Sequence, residues 1–145
     1  MSMALQGLKH GYSLTITTAT NGATLTTDAI DTAGYDELQC VVVTSASNAV
    51  SNNFSVMKIQ TSDASGSGYT DLSGYVGDTD FTIADAETAT PYLCVLNVDL
   101  RGKKRYFKVS ISPTTTQNIG VISALARASV TPNAASDGVN TLANP

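Results

Sequence analysis

Residues 91–113 read PYLCVLNVDLRGKKRYFKVSISP. An apolar run over 93–100 meets a basic turn containing glycine, Arg101-Gly102-Lys103-Lys104, and a second alternating run follows over 105–112. Two such runs with a short Gly turn between them predict a β-hairpin. Alternation with a period of two places Cys94, Leu96, Val98 and Leu100 on one face of the first strand. It places Arg105, Phe107, Val109 and Ile111 together on the second. A lone hairpin is marginal in water, so its apolar side must be covered by further strands. That requirement constrains the rest of the chain, which must supply more sheet.

The remaining sequence can do so. A length of 145 residues fits one domain with a substantial core. Charged residues make up only 14% of the chain and Glu occurs twice, at Glu37 and Glu87, so the usual solvent-exposed helix formers are scarce. Ser, Thr, Ala, Gly and Asn take their place, which suits a β-rich surface. The net charge of −4 gives no general attraction to nucleic acid or anionic lipid. The distribution is uneven, since five of the eight basic residues fall between Arg101 and Lys108. Residues 1–20 lack a basic leader followed by an apolar core, and no window approaches the roughly 20 apolar residues of a membrane helix.

Taken in order, residues 1–11 read as an N-terminal arm that Leu5 and Leu8 can anchor. Residues 12–129 read as a β-sandwich domain, and 130–145 as a C-terminal tail lying across another surface or disordered. Within the domain, 12–18 alternates with Tyr12, Leu14 and Ile16 on one side. Asn21-Gly22 marks a turn, a short strand is expected over 24–27, and 29–33 reads as a connection. Residues 37–45 carry apolar side chains on both faces, as a central strand does. After a polar loop over 46–53, a strand is expected over 54–61. Residues 62–80 are rich in glycine turns, with short strands expected over 69–72 and 81–83. Residues 119–129 suit a last strand better than a helix, because Ile119, Val121 and Ile122 are β-branched and no cap precedes them. Seven to nine short strands with no βαβ spacing favour an all-β fold: an antiparallel β-sandwich, jelly-roll-like or immunoglobulin-like, with extended terminal arms.

No reaction centre emerges from the motifs, and no enzyme activity, cofactor or metal is expected. His10 is the single histidine and has no neighbouring ligands in sequence. There is no phosphate-binding loop and no nucleophile elbow. Asp63, Asp71, Asp78, Asp80 and Asp85 cluster in the loop-rich region without the spacing of a calcium loop, so solvated turn aspartates are expected. Cys40 and Cys94 fall on apolar faces of separate strands, where buried free thiols are favoured over a disulfide. The basic turn has three readings: a charged tip that keeps the fold soluble and discourages edge pairing, a docking surface for an acidic protein, or a nucleic-acid backbone contact. A carbohydrate-binding sandwich would instead need exposed aromatics, for which Tyr69, Tyr75 and Tyr92 are the candidates.

Four stretches carry a resemblance to a known group: AIDTAGYDELQCVVVT over 29–44, KIQTSDASGSGYTDL over 58–72, DFTI over 80–83 and NVDLRGKKRYFKVSISP over 97–113. The chain resembles small virion structural proteins of tailed bacteriophages and prophages, encoded near the major capsid protein. The resemblance implies a head decoration or cement role on the outer surface of the capsid, with assembly in the bacterial host cytoplasm. It implies the major capsid protein and copies of the same chain as partners, with no direct nucleic-acid or membrane contact. It implies no catalytic residues, and only a small apolar residue at the positions of Cys40 and Cys94. A head–tail connector, tail-terminator or tail-tube role is the structural alternative. Contact residues expected on this reading are Leu5, Leu8, Arg101, Lys103, Lys104 and Arg105, together with the tail from Val130.

Overall fold

Ten β-strands follow one another in the computed structural model, which describes residues 9–45, 54–84, 91–126 and 141–143. They are β1 (Lys9–Ala19), β2 (Leu25–Thr26), β3 (Ile30–Asp31), β4 (Glu37–Thr44), β5 (Phe54–Ser62), β6 (Thr70–Val76), β7 (Leu93–Asp99), β8 (Tyr106–Pro113), β9 (Gln117–Ala126) and β10 (Thr141–Ala143). Two sheets form. Sheet A has the order β1-β9-β4-β7-β10, and sheet B the order β2-β8-β5-β6, with β3 also paired to β8. All pairs are antiparallel except β10 with β7.

The pairs are nested in sequence: β1 with β9, β2 and β3 with β8, β4 with β7, β5 with β6. A long hairpin of strands, folded back and wound so that successive strands alternate between two sheets, is a jelly roll. The all-β sandwich expected from the sequence is therefore present, and its connectivity is the jelly-roll one.

The opening hairpin is not. β7 belongs to sheet A and β8 to sheet B, so residues 100–105 form an arch across the sandwich rather than a hairpin turn. The cause is the need of both strands for apolar cover. Cys94, Leu96 and Val98 on β7 and Phe107, Val109 and Ile111 on β8 are all buried. Placed in facing sheets about 10 Å apart, the two sets cover each other; paired side by side they would present one wider apolar face still needing a lid. The glycine turn itself forms within the arch: Lys103 N–H donates to Leu100 O (3.0 Å) and Gly102 sits at φ 71°, the positive value demanded at the third position of such a turn.

The core between the sheets includes Leu38, Cys40, Val42, Leu96 and Val98 from sheet A and Met57, Ile59, Phe107, Val109 and Ile111 from sheet B. The rings of Phe54 and Tyr92 pack at 5.1 Å and 54°. β4 is central and alternates between buried and half-buried positions along its whole length, as its two-sided apolar pattern requires. β9 is a strand, with Ile119 and Val121 inward and Ile122 outward.

Three local expectations need correction. β1 begins at Lys9, so the strand takes in the last residues of the stretch read as an arm. The connection over 29–33 contains β3, which closes one edge of sheet B against β8. Residues 81–83 are not a strand: Phe81 makes only an isolated bridge to Gly77. Local hydrogen bonds take over there, with the Asp80 carboxylate accepting from Gly74 and Val76 N–H and the Asp78 carboxylate accepting from Ile83 N–H. Side chains that satisfy the backbone in this way compete with a sheet ladder. Leu5, Leu8, Asp85, Val130 and the loop over 46–53 lie outside the described residues.

Candidate functional site

Two surfaces are built from residues that the fold leaves outward. The first is the arch tip between β7 and β8. Asp99, the last residue of β7, accepts from Arg101 Nε (2.9 and 3.1 Å) and Nη2 (2.6 Å). Arg105 grips Asp31 of β3 through Nε (2.8 Å) and Nη2 (2.7 Å). Lys104 Nζ lies 4.0 Å from the Asp63 carboxylate. Thr32 completes the anchorage, donating both its N–H (3.1 Å) and its hydroxyl (2.7 Å) to Arg105 O. Of the four cations expected to make contacts, Arg101 and Arg105 are thus held by aspartates of the same chain, and Lys104 lies at the limit of an ion pair. Lys103 makes no ion pair among the described residues.

These pairs set the electrostatics of the tip. The Arg105 hydrogen bond, seconded by Ala33 N–H, pulls the Asp31 carboxyl down to about 2. Arg101 does the same for Asp99, also to about 2. An open depression of about 390 Å³ lies beside the tip, lined by Thr32, Ala33, Tyr35, Asp63, Leu100, Lys103, Lys104 and Arg105. It presents mixed charge, not the concentrated positive field that the sequence run suggests.

The second surface is an apolar strip on the outward face of sheet A, bordered by the polar row in which Gln39 donates to Asn97 (2.8 Å). Tyr12 (81% exposed) and Ile16 (71%) stand out from β1, and Ile122 (39%) from β9. Tyr12 pairs across the ladder with Ile122, Ile122 with Val41, and Val41 with Val95. One apolar row therefore crosses four strands. A second row joins Gly120, Val43 and Leu93. Ile16 lies directly over Gly120, where an added Cβ would come within 2.9 Å of Ile16 Cγ1. The outward face of sheet B is polar by contrast. Lys58 and Gln60 bond the Asp71 carboxylate (3.0 and 2.8 Å), and Thr24–Ser112 and Thr26–Ser110 form hydroxyl pairs.

The sequence grouped Tyr12, Leu14 and Ile16 on one side of β1 but could not show that Tyr12 and Ile16 face solvent. Ser13 takes the inward place instead, donating to the buried Ser123 hydroxyl (2.8 Å). Two register shifts, between Tyr12 and Leu14 and between Leu14 and Thr17, then rotate Leu14 partly into the core. The available signal was β9: its apolar residues fall on both faces, so one set has to point away from sheet B.

Other candidates resolve individually. His10 is exposed on β1, beside a depression of about 250 Å³ that also touches Asp28, Asp31 and Ser123. Asp71, Asp78 and Asp80 are engaged in the local bonds described above. Among the described residues no group of three His, Cys, Asp or Glu could hold a metal ion. Cys40 and Cys94 are buried free thiols on neighbouring strands, and burial pushes both up to about 12. They face Leu96 and Val42 respectively across the ladder, not each other. The aromatic platform needed for sugar binding is absent from the named tyrosines: Tyr75 and Tyr92 are buried, and Tyr69 lies under the Lys108 ammonium, 4.6 Å from its ring centroid.

Fold and surface define a class, an all-β jelly-roll sandwich with a polar outward face on sheet B and an apolar strip on the outward face of sheet A. No protein-family model matches the chain, and no curated protein matches it.

Proposed function

We propose that this chain is a non-enzymatic viral structural protein that binds the capsid exterior and stabilises the shell. The observation that carries the reading is the exposed apolar strip of Tyr12, Ile16 and Ile122 on one face of the sandwich. Large apolar side chains grouped on an outward sheet face mark a surface that is covered by a partner. The resemblance of residues 29–44, 58–72, 80–83 and 97–113 to phage virion proteins supplies the partner class: the major capsid protein, and copies of this chain on the same shell. A shell presents its binding surface many times over, so modest contacts per copy add up through multivalency. The arch tip supports this secondarily, with Lys103 as its unpaired cation among the described residues and Leu5, Leu8 and the tail from Val130 as further expected contacts.

The test is binding to shells that lack the protein. Wild-type chain is expected to saturate them at hundreds of copies per particle, counted by quantitative gel densitometry. A Tyr12→Ser/Ile16→Ser variant is expected to bind about tenfold or more weakly, a loss of about 1.4 kcal/mol per site, with an unchanged circular dichroism spectrum. Saturation at a ring of a few copies would move the protein to a connector or tail-terminator role. Equal binding by the variant would remove the strip from the interface.

A further inference from the structure

We infer that the Asp80 carboxylate seals the free edge of sheet B, and that without it β6 pairs with β6 of a second copy of this chain. The inference is independent of the capsid reading, because it rests on the hydrogen bonding of one strand.

β6 is the outer strand of sheet B, and among the described residues it pairs only with β5. Gly77 N–H donates to Met57 O (2.9 Å), so Gly77 and Met57 face each other as a bonded pair. Bonded and non-bonded pairs alternate along an antiparallel ladder. The N–H and C=O of Val76, opposite Lys58, therefore point away from β5. Groups in that position are the template to which another strand adds. Here the chain itself takes them. Asp80 Oδ2 accepts from both Gly74 N–H (2.9 Å) and Val76 N–H (3.0 Å). Val76 O accepts from Asp80 N–H (2.7 Å) and Thr79 N–H (3.2 Å).

The turn that returns Asp80 to the edge is held at both ends. Asp78 sits at φ 60°, a left-handed conformation that aspartate tolerates. Its N–H donates to Phe81 O (2.7 Å), and its carboxylate accepts from Ile83 N–H (3.1 Å). Ile83 is buried, and it fits because Gly77 lacks a Cβ, which would lie 2.5 Å from Ile83 Cδ1.

β6 carries no other guard. Its sequence TDLSGYV has no Lys or Pro, the residues that commonly blunt an edge. Its one charged residue, Asp71, is bonded to Lys58 and Gln60 of β5. Two such edges suit each other, because antiparallel pairing about a two-fold axis offers each strand the groups that it presents itself.

The experiment uses the full-length chain as wild type, Asp80→Ala and Asp80→Asn. Light scattering after gel filtration is expected to give Asp80→Ala about twice the wild-type mass at equal concentration, as one isologous contact requires. Asp80→Asn keeps an acceptor oxygen and is expected to keep the wild-type mass. A short bis-maleimide should join copies carrying Ser73→Cys, at the middle of β6, in the Asp80→Ala background and not in the wild-type one. Cys40 and Cys94 are buried and stay out of this reaction. In the wild type, the Gly74 and Val76 amides should exchange slowly with deuterium despite their place on an edge strand. Wild-type mass for Asp80→Ala would overturn the assignment, as would fast exchange at Gly74 and Val76 in the wild type. Equal cross-linking from Ser55→Cys on the inner strand β5 would also overturn it, since the copies would then be meeting elsewhere than at the β6 edge.

Discussion

At Asp31 a single carboxylate ties the arch tip to sheet B. Its pKa falls to about 2 because Arg105 and Ala33 N–H both bond the charged form. A carboxylate depressed in the folded state contributes stability above its unfolded pKa of about 3.9, and that contribution is lost as pH falls toward 2. Asp99, held by Arg101 at about 2, and Asp71, lowered by Lys58 and Gln60, act in the same direction. The urea midpoint is therefore expected to be flat at neutral pH and to drop between about pH 4 and 2. Asp31→Asn should remove part of that slope. At pH 7 it should lower the midpoint by only about half a molar or less, because the pair is about half exposed (53% and 44%) and screened by solvent. A midpoint in Asp31→Asn with the full wild-type slope would show that the Arg105 contact is not made in solution. The sequence displayed the cations at this site but not their partners. Asp31 lies 74 residues from Arg105 in the chain, and no local pattern signals a pairing across that separation.

The arch itself shows what alternation can and cannot specify. A period of two tells which side chains share a face, and Cys94, Leu96 and Val98 as well as Phe107, Val109 and Ile111 were identified on that basis. It does not tell which sheet a strand joins, because a hairpin and an arch bury the same residues. The turn's glycine was legible for a local reason: Gly102 adopts φ 71°, which a side chain resists. Gly102→Ala is expected to cost about 1 kcal/mol in urea denaturation. Gly66→Ala serves as the control, since its added Cβ meets nothing within 4 Å and its φ is not positive, so it should be neutral or slightly stabilising. Equal effects from the two substitutions would mean that the tip relaxes freely and does not set the geometry of the crossing. The apolar strip on β1 was hidden by a related ambiguity. Tyr12 and Ile16 share a side by alternation, but which side faces solvent is set by the Ser13–Ser123 hydroxyl pair and two register shifts, which depend on the partner strand.

For the whole molecule the nested pairing has a kinetic consequence. β1 pairs with β9, so that Lys9 meets Leu125 and Ala19 meets Gln117, and the sheets cannot be completed until the two ends of the domain have met. Loop closure of that span precedes the contacts that reward it, which slows folding. One buried cluster joins side chains from both sheets, so neither sheet has a core of its own and both should be lost together. Refolding is accordingly expected as a single phase on the millisecond-to-second scale typical of non-local β topologies. Urea transitions followed by far-UV circular dichroism and by tyrosine fluorescence, with buried Tyr75 and Tyr92 among the reporters, should coincide. Leu38→Ala in sheet A and Ile59→Ala in sheet B, both buried, should each destabilise by about 2–5 kcal/mol. Each should shift both probes by the same amount, although the two side chains belong to opposite layers. If Ile59→Ala moved one probe and left the other in place, the sheets would be separable units, and the wound-hairpin account of how this chain reaches its fold would have to be abandoned.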